Sequence, residues 1–195
     1  MNSRTKNLIK QKTTFSNLLL MLLLLTVTGN AFANTTWYVD GVHGNDSSNC
    51  KSAQTACKTI GHAIALASSA DSIMVAAATY NESLTISKSL KIIGSGASTT
   101  MLDGGGKRTV VAITNGGASV ILSRMTIRNG QAVGGGGVYN SGNLTITSTT
   151  ISGNSAFGIP TSGLPGGGGI YNVGTLTIYN STVSGNVATP GRCAT

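Results

Sequence analysis

An internal repeat constrains the fold of this chain more than any other feature of its sequence. The segment GGGGVYN at 134–140 recurs 32 residues later as GGGGIYN at 166–172, and SGNLTITSTTISGN at 141–154 recurs as VGTLTIYNSTVSGN at 173–186. A third copy, VILSRMTIRNG at 120–130, aligns with 144–154 at a spacing of 24 residues. The eight additional residues of the longer spacing lie within 157–165, whose Gly, Pro, Ser and Thr content is typical of an exposed loop. A loop that lengthens without disturbing the flanking pattern indicates a solenoid.

Short runs of alternating apolar residues predict a β-strand in each repeat, as in LTIT at 144–147 and LTIY at 176–179. Strands this short satisfy their backbone hydrogen bonds if each stacks on the equivalent strand of the next repeat, about 4.8 Å away. We therefore predict a parallel β-helix. In its register Val138 stacks on Ile170, Leu144 on Leu176, and Asn154 on Asn186 as an amide ladder.

The composition agrees with a β-rich solenoid. Charged residues make up 9% of the chain, against about 25% in an average protein, and this argues against disorder. The 27 glycines have no three-residue period and only 3 prolines occur, which excludes collagen. A chain rich in Gly, Thr, Ser and Asn also disfavours an all-α fold.

Residues 1–33 have the pattern of a signal peptide. A basic start with Arg4, Lys6, Lys10 and Lys12 precedes the apolar run 18–27, and AFA at 31–33 resembles a cleavage site before Asn34. The apolar run spans roughly 15 Å as a helix, too short for a transmembrane anchor. We predict a secreted or outer-surface protein. Without this leader, nine of the 13 Lys and Arg remain against five acids, spread too thinly to predict nucleic-acid binding.

The start of the mature chain differs from the repeats. We predict a cap over 34–70, with a short strand at 35–40 and a helix at 57–67 that places Ile60, Ala63, Ile64 and Ala67 on one face. The coils are expected over 71–195. No amphipathic segment follows the last repeat, so we expect the β-helix to be incomplete at its C-terminal end.

Cys50 and Cys57 bracket a short segment, and in an oxidising compartment we expect them to form a disulfide. Two unrelated free thiols are the alternative. Cys193 is left over, and its partner is not evident from the sequence.

The stretch CKTIGHAIALASSADSIMVAAATYNESLTISKSLKIIGSGASTTMLDGG at 57–105 resembles the opening of secreted right-handed β-helix proteins with the pectate-lyase-like fold. The units GGGGVYN…ISGN and GGGGIYN…VSGN resemble the repeats of polymorphic outer-membrane proteins, although Gly replaces the typical Ala, and Ile151 or Val183 the typical Phe. The resemblance covers about residues 35–190 and implies an all-β, right-handed parallel β-helix. It does not select a function, because this fold carries lyases, hydrolases, adhesins and passenger domains.

The acidic residues test for an active site. Glycoside hydrolysis uses two carboxylates about 5 to 9.5 Å apart, but the stretch from Gly104 to Thr195 contains no Asp or Glu. Asp103 precedes three glycines and is interpreted as a turn residue. Asp40 and Asp46 are interpreted as members of a polar loop, with a weak cation site as the alternative. We predict no catalytic site in this segment.

Cofactor and metal motifs are equally weak. Lys107 follows three glycines, but Arg108 stands where a phosphate-binding loop requires Ser or Thr. His43 and His62 lie far apart, no Cys has zinc-ligand spacing to them, and His62 is expected in solvent. We predict no cofactor and no metal.

Tyr139 and Tyr171 are the candidate glycan contacts. If Val138 and Ile170 point inward, alternation sends both tyrosines outward, where stacked rings form an aromatic strip for sugars. The alternative is an ordinary surface pair. Arg124 and Arg128, on opposite sides of a corner, are interpreted as solvated.

Three hypotheses follow for the function. The first is a secreted or surface β-helix with a structural or adhesive role and polysaccharide or cell-surface glycans as partners. The second is the N-terminal part of a polysaccharide lyase or glycoside hydrolase whose active site lies beyond residue 195. The third is a gene remnant that never folds.

Overall fold

The computed structural model describes residues 34–158 and 166–189, and short β-strands dominate both ranges. The predicted signal segment, most of the predicted loop and Cys193 lie outside the described residues. The strands are β1 Thr36–Val39, β2 Ser72–Val75, β3 Ala78–Tyr80, β4 Leu84–Ile86, β5 Leu90–Gly94, β6 Thr100–Asp103, β7 Val111–Ile113, β8 Ser119–Ser123, β9 Thr126–Arg128, β10 Gln131–Val133, β11 Val138–Asn140, β12 Asn143–Thr147, β13 Thr150–Ser152, β14 Ser155–Phe157, β15 Ile170–Asn172, β16 Thr175–Tyr179, β17 Thr182–Ser184 and β18 Val187–Thr189.

These strands form four parallel sheets. Sheet A has the order β1-β2-β5-β8-β12-β16, sheet B β17-β13-β9-β6-β3, sheet C β15-β11-β7-β4 and sheet D β10-β14-β18. Successive strands pass from sheet A to B to C and back to A, and from β10 onward sheet D lies between B and C. Each strand therefore pairs with its equivalent one coil away, and the predicted parallel β-helix is confirmed.

The interior of the coils is a set of stacked apolar columns. On sheet A, Ile73 pairs with Ile92, Ile92 with Leu122, and Leu122 with Ile146. These side chains are at most 1% exposed, and burial of each contributes about 1.5–3 kcal/mol. The predicted pairs Val138–Ile170 and Leu144–Leu176 are confirmed.

Asparagine side chains take over part of the interior in the later coils. On sheet C, Asn140 occupies the position held by Ile113 one coil earlier. Its amide accepts from Gly142 N–H and donates to the side-chain oxygen of Asn172, at 2.6 Å, and to a backbone carbonyl. The predicted ladder of Asn154 and Asn186 is confirmed by a 2.9 Å hydrogen bond between their side chains. The buried side-chain amides of Asn140 and Asn154 therefore both have hydrogen-bond partners, as a polar group in a core must.

The described residues contain one α-helix, α1, which spans Ile60–Leu66 and packs against the first coil. It begins three residues later than predicted, because Cys57 bridges Val39 in extended conformation and Thr59 is the N-cap. The predicted buried face is confirmed, since Ile60, Ala63, Ile64 and Ala67 are all buried.

Side chains of the first coil satisfy both ends of α1. The Glu82 carboxylate accepts from the N–H groups of Ile60 and Gly61 at 2.9 and 2.8 Å. Lys88 Nζ donates to the carbonyls of Ile64 and Ala67 at 3.1 and 2.6 Å. These charges are opposite in sign to the partial charges at the two helix ends, and the hydrogen bonds attach α1 to the coil. Within residues 34–158 and 166–189, no helix has the length and apolarity needed to cross a membrane.

Candidate functional site

The two candidate glycan contacts meet on the outer face of sheet C. Val138 is fully buried, so the next residue, Tyr139, points outward. Tyr139 pairs with Tyr171 in the adjacent coil. The ring centroids are 5.9 Å apart with an interplanar angle of 16°, and both residues are half-buried. The register of the repeat thus brings the two tyrosines together, and their side-chain rotamers stack the rings.

The neighbouring outward positions on sheet C are small. Ala112 pairs with Tyr139, and Thr85 pairs with Ala112. A methyl group therefore stands one coil away from the face of the Tyr139 ring that is turned from Tyr171. Because a methyl group is much smaller than a tyrosine ring, it covers little of this face of the Tyr139 ring. Such an aromatic face can pack against an apolar surface while the tyrosine hydroxyl stays in water.

Three of the five carboxylates in the described residues cap local backbone around α1 and the preceding loop. Asp40 accepts from the N–H groups of Val42 and His43 and contacts the His43 ring at 3.2 Å. Asp46 accepts from the N–H groups of Lys58 and Thr59 and from the Thr59 hydroxyl, and Glu82 caps α1. The interpretation of Asp40 and Asp46 as polar-loop residues agrees with these contacts.

The pKa values of Asp40 and Asp46 are lowered. For Asp40 the main cause is the backbone hydrogen bond from His43, followed by that from Val42. For Asp46, burial alone raises the pKa, but the hydrogen bonds from the Thr59 backbone and hydroxyl and from Lys58 outweigh it. A carboxyl group with a lowered pKa is ionised at neutral pH and is poorly suited to act as a general acid.

Asp71 is buried beside the first strand and ties it to the chain that follows α1. Its carboxylate accepts from Thr35 N–H, from the indole Nε1 of Trp37 at 2.9 Å, and from Ser68 N–H. Burial raises the pKa of Asp71, and the hydrogen bonds from Trp37, Ser68 and Thr35 more than offset this, so the pKa is lowered. Three hydrogen-bond donors thus stabilise the ionised Asp71 carboxylate, together with the positive charge of Lys51, which lies over the Trp37 ring.

Asp103 makes the predicted turn contact, accepting from Gly105 N–H at 2.9 Å. It is also paired with Arg128, whose Nε lies 2.9 Å from Oδ2. The expectation that Arg128 is solvated holds in part: its side chain is 36% exposed, but β6 and β9 place it directly beside Asp103. Burial raises the pKa of Asp103, but hydrogen bonds from Gly105, Arg128 and Asn129 lower it overall. Arg124 instead donates to the carbonyl of Ser95.

The structure joins Cys50 and Cys57 in a disulfide with a Cα–Cα distance of 5.0 Å. No Cys has zinc-ligand spacing to a histidine in the sequence, but the fold brings His62 close to both cysteines. Its ring nitrogen and both sulfurs lie within 4.8 Å of one another, and His62 is half-buried rather than free in solvent. The late start of α1 accounts for the proximity, because Cys57 lies in extended conformation before the helix and not on it.

Sequence reasoning missed a groove of about 350 Å³ on the outer face of sheet A. Tyr38, Met74 and Ile93 pair in successive strands and line it, with Asp40 and Arg124 near by. The signal was present in the sequence as large apolar residues at outward positions of three strands.

A second, polar groove of about 390 Å³ contains Lys107 and Arg108 together with Glu82 and Asp103. Two cations face two carboxylates there, so the groove has no net charge that would attract an anion.

No protein-family model and no curated protein sequence matches the chain. Among solved structures, it is similar to a crystal structure of a pectin methylesterase mutant in complex with a hexasaccharide, with 18% identity and a TM-score of 0.46. The similarity covers 78% of this chain and 50% of that one, so the chain spans about half the length of the esterase. At this level the similarity adds nothing to the strand pairing that defines the fold.

Proposed function

We propose that this protein is a secreted or outer-surface β-helix with a structural or adhesive role, and that it binds glycan chains through Tyr139 and Tyr171. The observation that carries the proposal is the stacked pair on the outer face of sheet C, with its rings 5.9 Å apart. Export by the leader at 1–33 and the likeness of the repeats to polymorphic outer-membrane proteins support a surface location. N-terminal sequencing of exported protein should give a first residue of Asn34.

The binding proposal has a specific geometry. A sugar ring placed over Ala112 would contact the free face of Tyr139 with its C–H groups, and a following sugar would lie across the edge of Tyr171. Polar groups for the sugar hydroxyls are available from the two tyrosine hydroxyls and from Thr85, at the outward position two coils before Tyr139. The stretch after Gly104 contains no carboxylate, so this face accepts neutral and acidic glycans without charge repulsion.

Affinity electrophoresis and calorimetry against a panel of neutral and acidic polysaccharides test the proposal. Replacing Tyr139 and Tyr171 together by Ala should weaken binding at least tenfold, about 1.4 kcal/mol. Tyr179→Ala is the matched control, because Tyr179 is a strongly exposed tyrosine on sheet A. If the double variant binds as well as the parent, or if Tyr179→Ala loses as much, the tyrosine strip is not the binding site. Circular dichroism melting confirms that each variant folds and also tests the remnant hypothesis.

The enzymatic hypothesis has less support from the described residues. Asp40, Asp46, Asp71 and Asp103 have lowered pKa values, and Glu82 caps α1. Each carboxylate therefore already stabilises the fold. Polymer cleavage by the purified chain above a heat-inactivated control would reverse this preference, as would a cluster of Asp with Arg or Lys encoded on coils beyond residue 195.

A further inference from the structure

We propose that Cys50, Cys57 and His62 form a binding site for a thiophilic divalent cation of the Zn²⁺ class when the disulfide is reduced, so that metal binding and disulfide formation exclude one another. The three side chains come from different segments: a loop, the bridge beside β1, and the first turn of α1. Their two sulfurs and a ring nitrogen lie within 4.8 Å of one another. Two thiolates and an imidazole are three of the four tetrahedral ligands that Zn²⁺ takes in proteins.

The backbone holds the two cysteines together independently of the S–S bond. Cys50 N–H donates to Thr55, and the Cys50 carbonyl accepts from Tyr38 N–H, both at 2.9 Å. Cys57 N–H donates to the Tyr38 carbonyl, and the Cys57 carbonyl accepts from Asp40 N–H, both at 2.8 Å. Both cysteines are thus fastened to β1 or its neighbour. Cleavage of the disulfide therefore leaves the two sulfurs side by side.

His62 completes the set from one side. Its backbone N–H donates to the Thr59 hydroxyl at 3.2 Å, which sets the start of α1 and holds residue 62 in the first turn. Among the described residues, neither ring nitrogen of His62 has a hydrogen-bond partner, so a lone pair is available for a metal. Both cysteines are fully buried, whereas His62 is half-buried. The proposal assigns the fourth position to water, since His62 is the partly exposed member of the set.

The chemistry balances with a dithiol or phosphine reductant. The reductant supplies two electrons and, with two protons, converts the disulfide to two thiols while it is oxidised itself. The cation then displaces the two thiol protons and binds two thiolates and the neutral imidazole, which leaves the site uncharged. Reoxidation by a small-molecule disulfide, which accepts the two electrons and leaves as two thiols, removes two of the three ligands and must release the metal.

Cobalt(II) is the test probe, because its thiolate complexes show a charge-transfer absorption band. The full chain carries Cys193→Ser in every sample, since Cys193 is a third thiol. Phosphine-reduced protein should bind one Co²⁺ per chain with the thiolate band, and Zn²⁺ should displace it. The oxidised protein should show no band. His62→Gln should weaken Co²⁺ binding at least tenfold, whereas His43→Gln, at the other histidine, should leave it unchanged.

Three results would overturn the proposal. The first is the absence of the thiolate band in reduced protein. The second is equal affinity of the His62→Gln variant and its parent, which would leave only a dithiol. The third is loss of the β circular-dichroism spectrum on reduction, since the site depends on a backbone that keeps its shape without the S–S bond. The test is independent of glycan binding.

Discussion

Replacing Asn154 by Ala should destabilise the coils by about 2–6 kcal/mol. The Asn154 side chain is 1% exposed, accepts from Gly130 N–H at 2.8 Å and donates to the Ile127 carbonyl at 3.1 Å. Alanine leaves both backbone groups without a partner inside the coil. An unpaired buried polar group costs about 1–3 kcal/mol, so two such groups give the stated range.

Asn186 provides a matched comparison one coil further along the same ladder. Its amide also bonds backbone carbonyls, of Ile151 and Ser184, but the residue is half-buried and water can replace what alanine removes. We expect Asn186→Ala to cost about 1 kcal/mol. Urea unfolding followed by circular dichroism at 25 °C gives both free energies of unfolding. An equal or smaller loss for Asn154→Ala than for Asn186→Ala would refute the reasoning that burial sets the cost.

The remaining predictions concern a charge, a covalent link and a close contact. Asp71→Asn should lower stability at pH 7 by about 2–3 kcal/mol. Because the pKa of Asp71 is lowered in the fold from 3.8, its contribution is complete above that value and is lost as the pH falls through the folded pKa. Unfolding curves across pH 2–7 should therefore be flatter for the variant than for the parent. Replacing both Cys50 and Cys57 by Ser should cost about 2.5 kcal/mol in chemical denaturation, from the chain entropy of a small closed loop. Gly136→Ala should cost about 3 kcal/mol or more in the same assay, because the new Cβ would lie 2.2 Å from a backbone carbonyl oxygen. Gly117→Ala, whose Cβ would meet nothing closer than 3.5 Å, should change stability by less than about 0.5 kcal/mol.

Each of these has an outcome that contradicts it. Parallel pH curves for parent and Asp71→Asn would show that the carboxylate does not carry the acid sensitivity. A double serine variant as stable as the parent would remove the loop-entropy argument. Equal effects of the alanine substitutions at Gly136 and Gly117 would mean that coil spacing relaxes around an added methyl group.

The repeat predicted the fold and the register because like positions in a solenoid lie above one another at a fixed spacing. The pairs Val138–Ile170 and Leu144–Leu176 follow from counting residues, and so does the meeting of Tyr139 with Tyr171. The ring stacking itself does not follow from spacing, since it depends on side-chain rotamers.

The missed contacts lie where the spacing is not constant. Asp103 lies in a coil that precedes the recognisable repeats, 25 residues before Arg128 in the third copy, so no sequence alignment placed them together. The proximity of His62 to Cys57 was missed because apolar periodicity cannot locate a helix start, and Cys57 lies before the helix. The start was decided by the extended bridge at Cys57 and the cap at Thr59.

The length of a coil is independent of the pairing of its strands. From Val111 to Val138 the chain travels 27 residues, and from Val138 to Ile170 it travels 32, yet all three residues pair in register on sheet C. The Gly135–Gly167 bridge and the pairing of β14 with β18 continue on either side of the insertion. Evolution can therefore enlarge the segment between Phe157 and Gly166 into a recognition element of almost any size. The interior would not have to be redesigned, and the neighbouring tyrosines would keep their places.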